Sequence, residues 1–134
     1  MASIIDIEGI GPIYKKKLNA IGVKTTEQLL WLGASARGRE ELAAEADIPE
    51  KLILEWVNLS DLMRIKGVGE EYSDLLEEAG VDTVKELRVR VPENLYEAIV
   101  ATNKMKKLVR RTPSLKSVKK WVAQAKTLPP IVTY

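Results

Sequence analysis

Ile7-Glu8-Gly9-Ile10-Gly11 and Ile65-Lys66-Gly67-Val68-Gly69 decide the fold, because each sets a Gly-hydrophobic-Gly turn immediately ahead of a helix-forming run. Laid over one another at an offset of 58, the two stretches keep matching downstream: Tyr14 falls on Tyr72, Leu18 on Leu76, Ile21 on Ala79, Gly22 on Gly80, Val23 on Val81, Thr25 on Thr83 and Leu29 on Leu87. Glycines, aromatics, apolar positions and a cap recur together, the mark of one supersecondary unit used twice.

Each copy is locally consistent. The paired glycines allow a tight turn with close backbone approach, and Pro12 suits the first turn of the helix that follows. That helix should end near Ile21 or Ala79, where Gly22 or Gly80 can take the left-handed terminating conformation. Thr25 with Gln28, and Thr83 with Glu86, have capping-box spacing, so a new helix should start at once in both copies.

Further out, each copy carries a second helical pair. Leu42, Ala46, Ile53, Trp56 and Val57 recur at helical spacing around a short Asp47-Ile48-Pro49 turn. Leu95, Ile99, Leu108, Leu115, Val118, Trp121 and Val122 do the same in the second copy, where Ser114 can cap the last helix. Trp56 matches Trp121 at offset 65, so the second copy holds several extra residues upstream of its tryptophan, among basic side chains. The prolines of Leu128-Pro129-Pro130 stop the last helix, and the apolar end should lie against the body. The expected fold is all-α, with two tandem repeats packed into one compact domain, residues 1–60 forming the first and 61–134 the second.

Composition agrees. The chain has no Phe and 5% aromatics within 46% hydrophobic residues, so its core must be mostly aliphatic, which suits close-packed helices. The lack of Cys excludes disulfides and thiolate metal sites, and the lack of His removes the commonest general base and zinc ligand. No catalytic constellation, cofactor site or metal site is legible, and a non-enzymatic role is expected. No apolar stretch is long enough to cross a bilayer and the start lacks a secretory pattern, so no membrane association and a cytoplasmic location are expected.

The net charge of +2 conceals an asymmetry. From Ala98 onward there is no Asp or Glu, while Lys104, Lys106, Lys107, Arg110, Arg111, Lys116, Lys119, Lys120 and Lys126 supply 9 of the 21 basic residues. The preceding stretch holds the other 12 against all 19 acidic residues, a balance of −7. Lys116, Lys119 and Lys120 fall on one helical face opposite Val118 and Trp121. Such a basic end either attracts a polyanion or balances the acidic body, and the sequence permits both.

The hairpins have a chemistry of their own. A Gly-hydrophobic-Gly turn opening into a helix presents free backbone N–H groups at the positive end of the helix dipole, where a phosphate can be held without side-chain charge. The candidate nucleic-acid-binding residues are therefore Gly9, Ile10, Gly11 and Pro12 with Lys15, Lys16 and Lys17, supported by Lys104, Lys106, Lys107, Arg110, Arg111, Lys116, Lys119 and Lys120. Gly67, Val68 and Gly69 form the same turn beside Glu70 and Glu71, whose carboxylates repel phosphate, so the second hairpin is expected to be structural. Tyr14 and Tyr72 read as core packing rather than base-stacking residues.

Ile-Glu-Gly-Ile-Gly-Pro, followed by Leu18, Ile21-Gly22-Val23 and Thr25, resembles the helix-hairpin-helix motifs of DNA repair proteins, polymerases and topoisomerases. Those motifs usually hold a small residue four positions after the second glycine. Ser73 fits this, whereas Lys15 departs from it. Over the whole chain, Glu41-Leu42-Ala43, Glu55-Trp56-Val57, the run Asp61 to Gly69, Val109 to Ser114 and the terminal Val-Thr-Tyr look like an uncharacterised prokaryotic family, a domain of unknown function with tandem hairpins. The hairpin chemistry and the basic end point to DNA as partner, bound through its phosphates without regard to sequence; the alternative, motivated by the charge asymmetry, is a protein-interaction or scaffold module in which both hairpins are structural.

Two other likenesses carry less. Glu41-Leu42-Ala43, Ile48, Ile53 and Trp56 follow helix-turn-helix spacing, but the helix that would read DNA exposes Glu50, Lys51 and Glu55. Val81-Asp82-Thr83 is similar to the aspartate segment of helix-hairpin-helix glycosylases, yet lies too close to Gly69 and lacks a matching lysine loop. A helix cap is the simpler role for Asp82 or Thr83.

Overall fold

The structure, a computed structural model, describes residues 2–134, which form eight α-helices and no β-strand. The chain divides into two compact units, one ending at Asp61 and taking in Ile131–Tyr134, the other Leu62–Pro130.

In the first unit a 3-10 helix, Ile4–Asp6, precedes the first hairpin. It is followed by α1 (Pro12–Ala20), α2 (Thr26–Leu32), α3 (Ala36–Ala46) and α4 (Glu50–Leu62). The expected punctuation is present. Gly22 is left-handed at φ +87°, and the Val23 N–H donates back to the Leu18 carbonyl. Thr25 and Gln28 form a complete capping box at the start of α2. Asp47 takes the left-handed conformation at φ 55° and turns α3 into α4. Ile4, Ile7, Leu18, Leu29, Ile53 and Trp56 are fully buried, and each aliphatic side chain among them contributes about 1.5–3 kcal/mol by leaving water.

The C-terminal residues are fastened onto this unit by Arg39, which no local signal singles out. The buried Arg39 guanidinium donates to the carbonyls of Gly33, Ala34 and Thr133, and stacks 5.7 Å from the centre of the Tyr134 ring. Val132 is buried, as the apolar character of the end requires.

The second unit contains α5 (Glu70–Glu78), α6 (Val84–Leu87), α7 (Pro92–Lys106) and α8 (Leu115–Ala125). α7 packs on α5 and α8, and α6 packs on α8. Their apolar faces meet in one cluster that includes Leu76, Val81, Leu87, Leu95, Ile99, Val118 and Trp121. α8 is divided as its spacing requires: Val118, Trp121, Val122 and Ala125 face inward and Lys116, Lys119 and Lys120 are exposed, with the Ser114 hydroxyl accepting the Ser117 N–H as cap. α6 has only four residues where α2 has seven, and Val91, the residue before Pro92, is extended.

The approaches to the hairpins also differ. The second hairpin follows α4, whereas the first follows only the three-residue 3-10 helix. There the backbone of residues 2–4 bonds instead to the segment before α2, with the Ile4 N–H donating to the Lys24 carbonyl and the Thr26 N–H to that of Ala2.

Candidate nucleic-acid interface

The hairpins at Gly9–Gly11 and Gly67–Gly69 have nearly the same backbone. The Ile10 N–H donates to the Ile7 carbonyl at 3.1 Å and the Val68 N–H to the Ile65 carbonyl at 3.0 Å. Ile10 and Val68 are buried at the tips. Gly9 and Gly67 sit at φ +94° and +93°, which L side chains rarely adopt. A Cβ added there would lie 3.2 Å from Trp56 Nε1 at Gly9 and 3.3 Å from Trp121 Nε1 at Gly67. Each indole is held in turn by a tyrosine, Tyr14 against Trp56 at 5.1 Å between centroids and Tyr72 against Trp121 at 5.4 Å. The first glycine of each hairpin is therefore required by its φ, and a side chain there would also press on the indole beneath it.

The second glycine is different. Gly11 and Gly69 have φ of −87° and −108°, open to any residue, and a Cβ added at either meets nothing within 4 Å. Neither conformation nor packing demands glycine there. Both are N-caps without a side-chain hydrogen bond, whereas Ser3, Thr25, Ser35, Thr83 and Ser114 all cap their helices through a hydroxyl. In α1, Pro12 has no N–H and the Lys15 N–H is taken by the Gly11 carbonyl. Helix geometry leaves the N–H groups of Ile13 and Tyr14 without an intrahelical acceptor.

Charge separates the two sites. The first turn of α1 contains no acidic side chain, so the positive end of its dipole is unmatched from within the turn. The first turn of α5 contains Glu70 and Glu71, both exposed, which occupy the same field with the protein's own carboxylates.

The three lysines after the first hairpin do not act alike. Lys16 is exposed and Lys15 half-buried. Lys17 is committed elsewhere: its Nζ donates to the Asp47 carbonyl at 2.9 Å and lies 3.8 Å from the Asp47 carboxylate, at the negative end of α3. At the position matching Lys15, Ser73 is buried and its hydroxyl donates to the Glu70 carbonyl.

Of the basic C-terminal residues, Lys104, Lys107, Arg110, Arg111, Lys116, Lys119, Lys120 and Lys126 are exposed. Lys106 is ion-paired with Glu78, which accepts its hydrogen bond and holds its ammonium above the usual lysine range. That pair also occupies one member of the Asp74, Glu77 and Glu78 cluster, whose carboxylate oxygens approach within 4.8 Å of one another. The indoles of Trp56 and Trp121 under the hairpins were not legible as part of this site; the signal that could have found them is their match at offset 65. No helix among the described residues is long and apolar enough to cross a membrane.

Within the all-helical proteins, sequence comparison supplies a family. Residues 8–128 match the model of DUF4332, a domain of unknown function, and the chain belongs to that family. Neither the search of curated proteins nor that of solved structures gives a match.

Proposed function

We propose that this is a non-enzymatic protein that binds DNA largely without regard to sequence, gripping a backbone phosphate at the first hairpin of a tandem helix-hairpin-helix. The observation that carries this reading is Gly11, a glycine with an ordinary φ, open space on its side-chain side and an uncapped helix behind it. A side chain at this position would shield the free amides of α1; glycine leaves room for an anion to approach them. Lys16 and Lys15 add positive charge nearby, and the exposed basic residues of α7, α8 and their connection add counterion release. Lys17 and Lys106 contribute less, because each already has a carboxylate partner. Glu70 and Glu71 make the second hairpin an architectural copy.

A salt titration of binding to closed circular duplex DNA tests this, since each phosphate neutralised contributes about −0.9 to the slope of log affinity against log salt. A slope steeper than about −2 is expected, and no binding at low salt would sink the reading.

A second reading, a protein-interaction module with both hairpins structural, is favoured by one observation. Trp31 and Leu32 are 67% and 52% exposed and line an open groove with Gly22, Thr25 and Gln28. Under that reading, exchanging Lys15 and Lys16 for Glu leaves any DNA affinity unchanged.

A further inference from the structure

The second unit contains a cavity of about 360 Å³ that the first lacks the chain to build. It is walled by Tyr72, Tyr96, Arg111, Thr112, Ser114 and Ser117. The connection from α7 to α8 runs through residues 107–114 and supplies half of that wall, whereas α3 and α4 are joined by Asp47, Ile48 and Pro49 alone. The extra residues inserted before Trp121 thus have a place in the structure: they stand over α5 and make a pocket.

The pocket is held in shape and its lining favours an anion. The Tyr72 hydroxyl donates to the Arg111 carbonyl at 3.0 Å, and the Asn103 side chain bonds both the N–H and the carbonyl of Val109, which fixes the start of the connection. The Arg111 guanidinium, the Thr112 hydroxyl and the Tyr96 hydroxyl have no partner among the described residues. The Ser117 hydroxyl accepts from Ser114 and keeps its own proton to donate. No Asp or Glu lines the cavity. An arginine with several hydroxyl donors suits the oxygens of a phosphate, and the half-buried rings of Tyr72 and Tyr96, packed against the core, line the cavity beside them with aromatic surface. The volume falls in the range that holds a small ligand.

We infer that this cavity binds a nucleoside monophosphate group, the phosphate on Arg111, Thr112 and Ser117 and the base against Tyr72 and Tyr96. The group has two sources, a free nucleotide or the phosphorylated end of a nucleic-acid strand. Arg111 is shared with the DNA-binding reading, but the cavity does not require that reading to hold.

The test uses the full chain and three probes in a titration at moderate salt: a short oligonucleotide with a 5′-phosphate, the same oligonucleotide with a 5′-hydroxyl, and adenosine monophosphate as competitor. The phosphorylated strand should bind about tenfold more tightly than the hydroxyl strand, as a hydrogen-bonded charged group warrants. Arg111→Gln should abolish that preference, and Thr112→Val should reduce it several-fold, both with unchanged melting temperature. Competition by adenosine monophosphate at similar concentration identifies the free nucleotide as a sufficient ligand; preference without competition identifies the strand end. Equal affinity for both strands together with no binding of adenosine monophosphate, or a preference that survives Arg111→Gln, overturns the inference. Binding to closed circles, which have no ends, reports on the DNA-binding reading without the cavity's strand-end preference, so failure of one proposal is not failure of the other.

Discussion

The two hairpins share a backbone and differ in what surrounds it. Both seat a positive-φ glycine on a tryptophan indole braced by a tyrosine. Both place a second, unconstrained glycine at the N-terminus of a helix. One then continues into lysines with no acid in the first turn, the other into Glu70 and Glu71. The turn is therefore set by packing beneath it, while its chemistry is set by the three or four residues after it.

The largest effects should come from the shared floor. Trp56→Ala and Trp121→Ala each remove a buried indole and the brace for a hairpin, and each should cost about 3–5 kcal/mol in denaturant unfolding. A large inequality between them would break the equivalence of the two turns.

Charge exchange sharpens the contrast. Lys15→Glu with Lys16→Glu should weaken duplex binding about 10- to 100-fold at low salt with the fold intact. Glu70→Lys with Glu71→Lys should strengthen it. Lys17 is best left alone, since changing it also removes the contact with Asp47 at the end of α3.

Within one hairpin, Gly9→Ala should destabilise the protein by about 1–3 kcal/mol, through its left-handed φ and the nearby Trp56 Nε1. Equal tolerance of alanine at Gly9 and Gly11 in thermal unfolding would remove the distinction between a glycine required by the fold and one left open to a ligand.

The smallest effect distinguishes the two helix starts that follow. At Thr83 the capping carboxylate of Glu86 accepts the Asp82 N–H, where at Thr25 the neutral amide of Gln28 accepts the Lys24 N–H. Burial, then the charge of Glu86, pushes the Asp82 carboxyl above its usual value of 3.8. A carboxyl raised in the folded state favours folding when protonated and penalises it when ionised. Asp82→Asn should therefore stabilise at neutral pH by roughly a few tenths of a kcal/mol, allowing for solvent screening. The gain should fade as pH falls through the raised value toward 3.8; a gain that is constant with pH would point to another cause.

Much of the helical order could be read from the chain because local signals agree: glycine stops at Gly22 and Gly80, threonine starts at Thr25 and Thr83, and apolar spacing along α8. What escaped reading depends on contacts distant in sequence. Nothing local marks Arg39 as the clamp on Thr133, or Lys17 as the partner of Asp47 thirty residues on. Equal glycines in Gly-Ile-Gly and Gly-Val-Gly look interchangeable until the indole under only the first of each pair is seen. The cavity beside Arg111 needed the fold, since Tyr72 comes from α5, distant in sequence from the connection that covers it.

The most direct test places serine at Gly11 and, separately, at Gly69, and measures unfolding and closed-circle DNA binding for both. Serine can cap a helix, so each variant should fold at least as stably as the parent, by up to about 1 kcal/mol. Gly11→Ser should lose about tenfold in DNA affinity because its hydroxyl takes the amides a phosphate would use, while Gly69→Ser should leave binding unchanged. Unaltered binding by Gly11→Ser, or equal losses in both variants, would contradict the claim that the first hairpin alone grips phosphate.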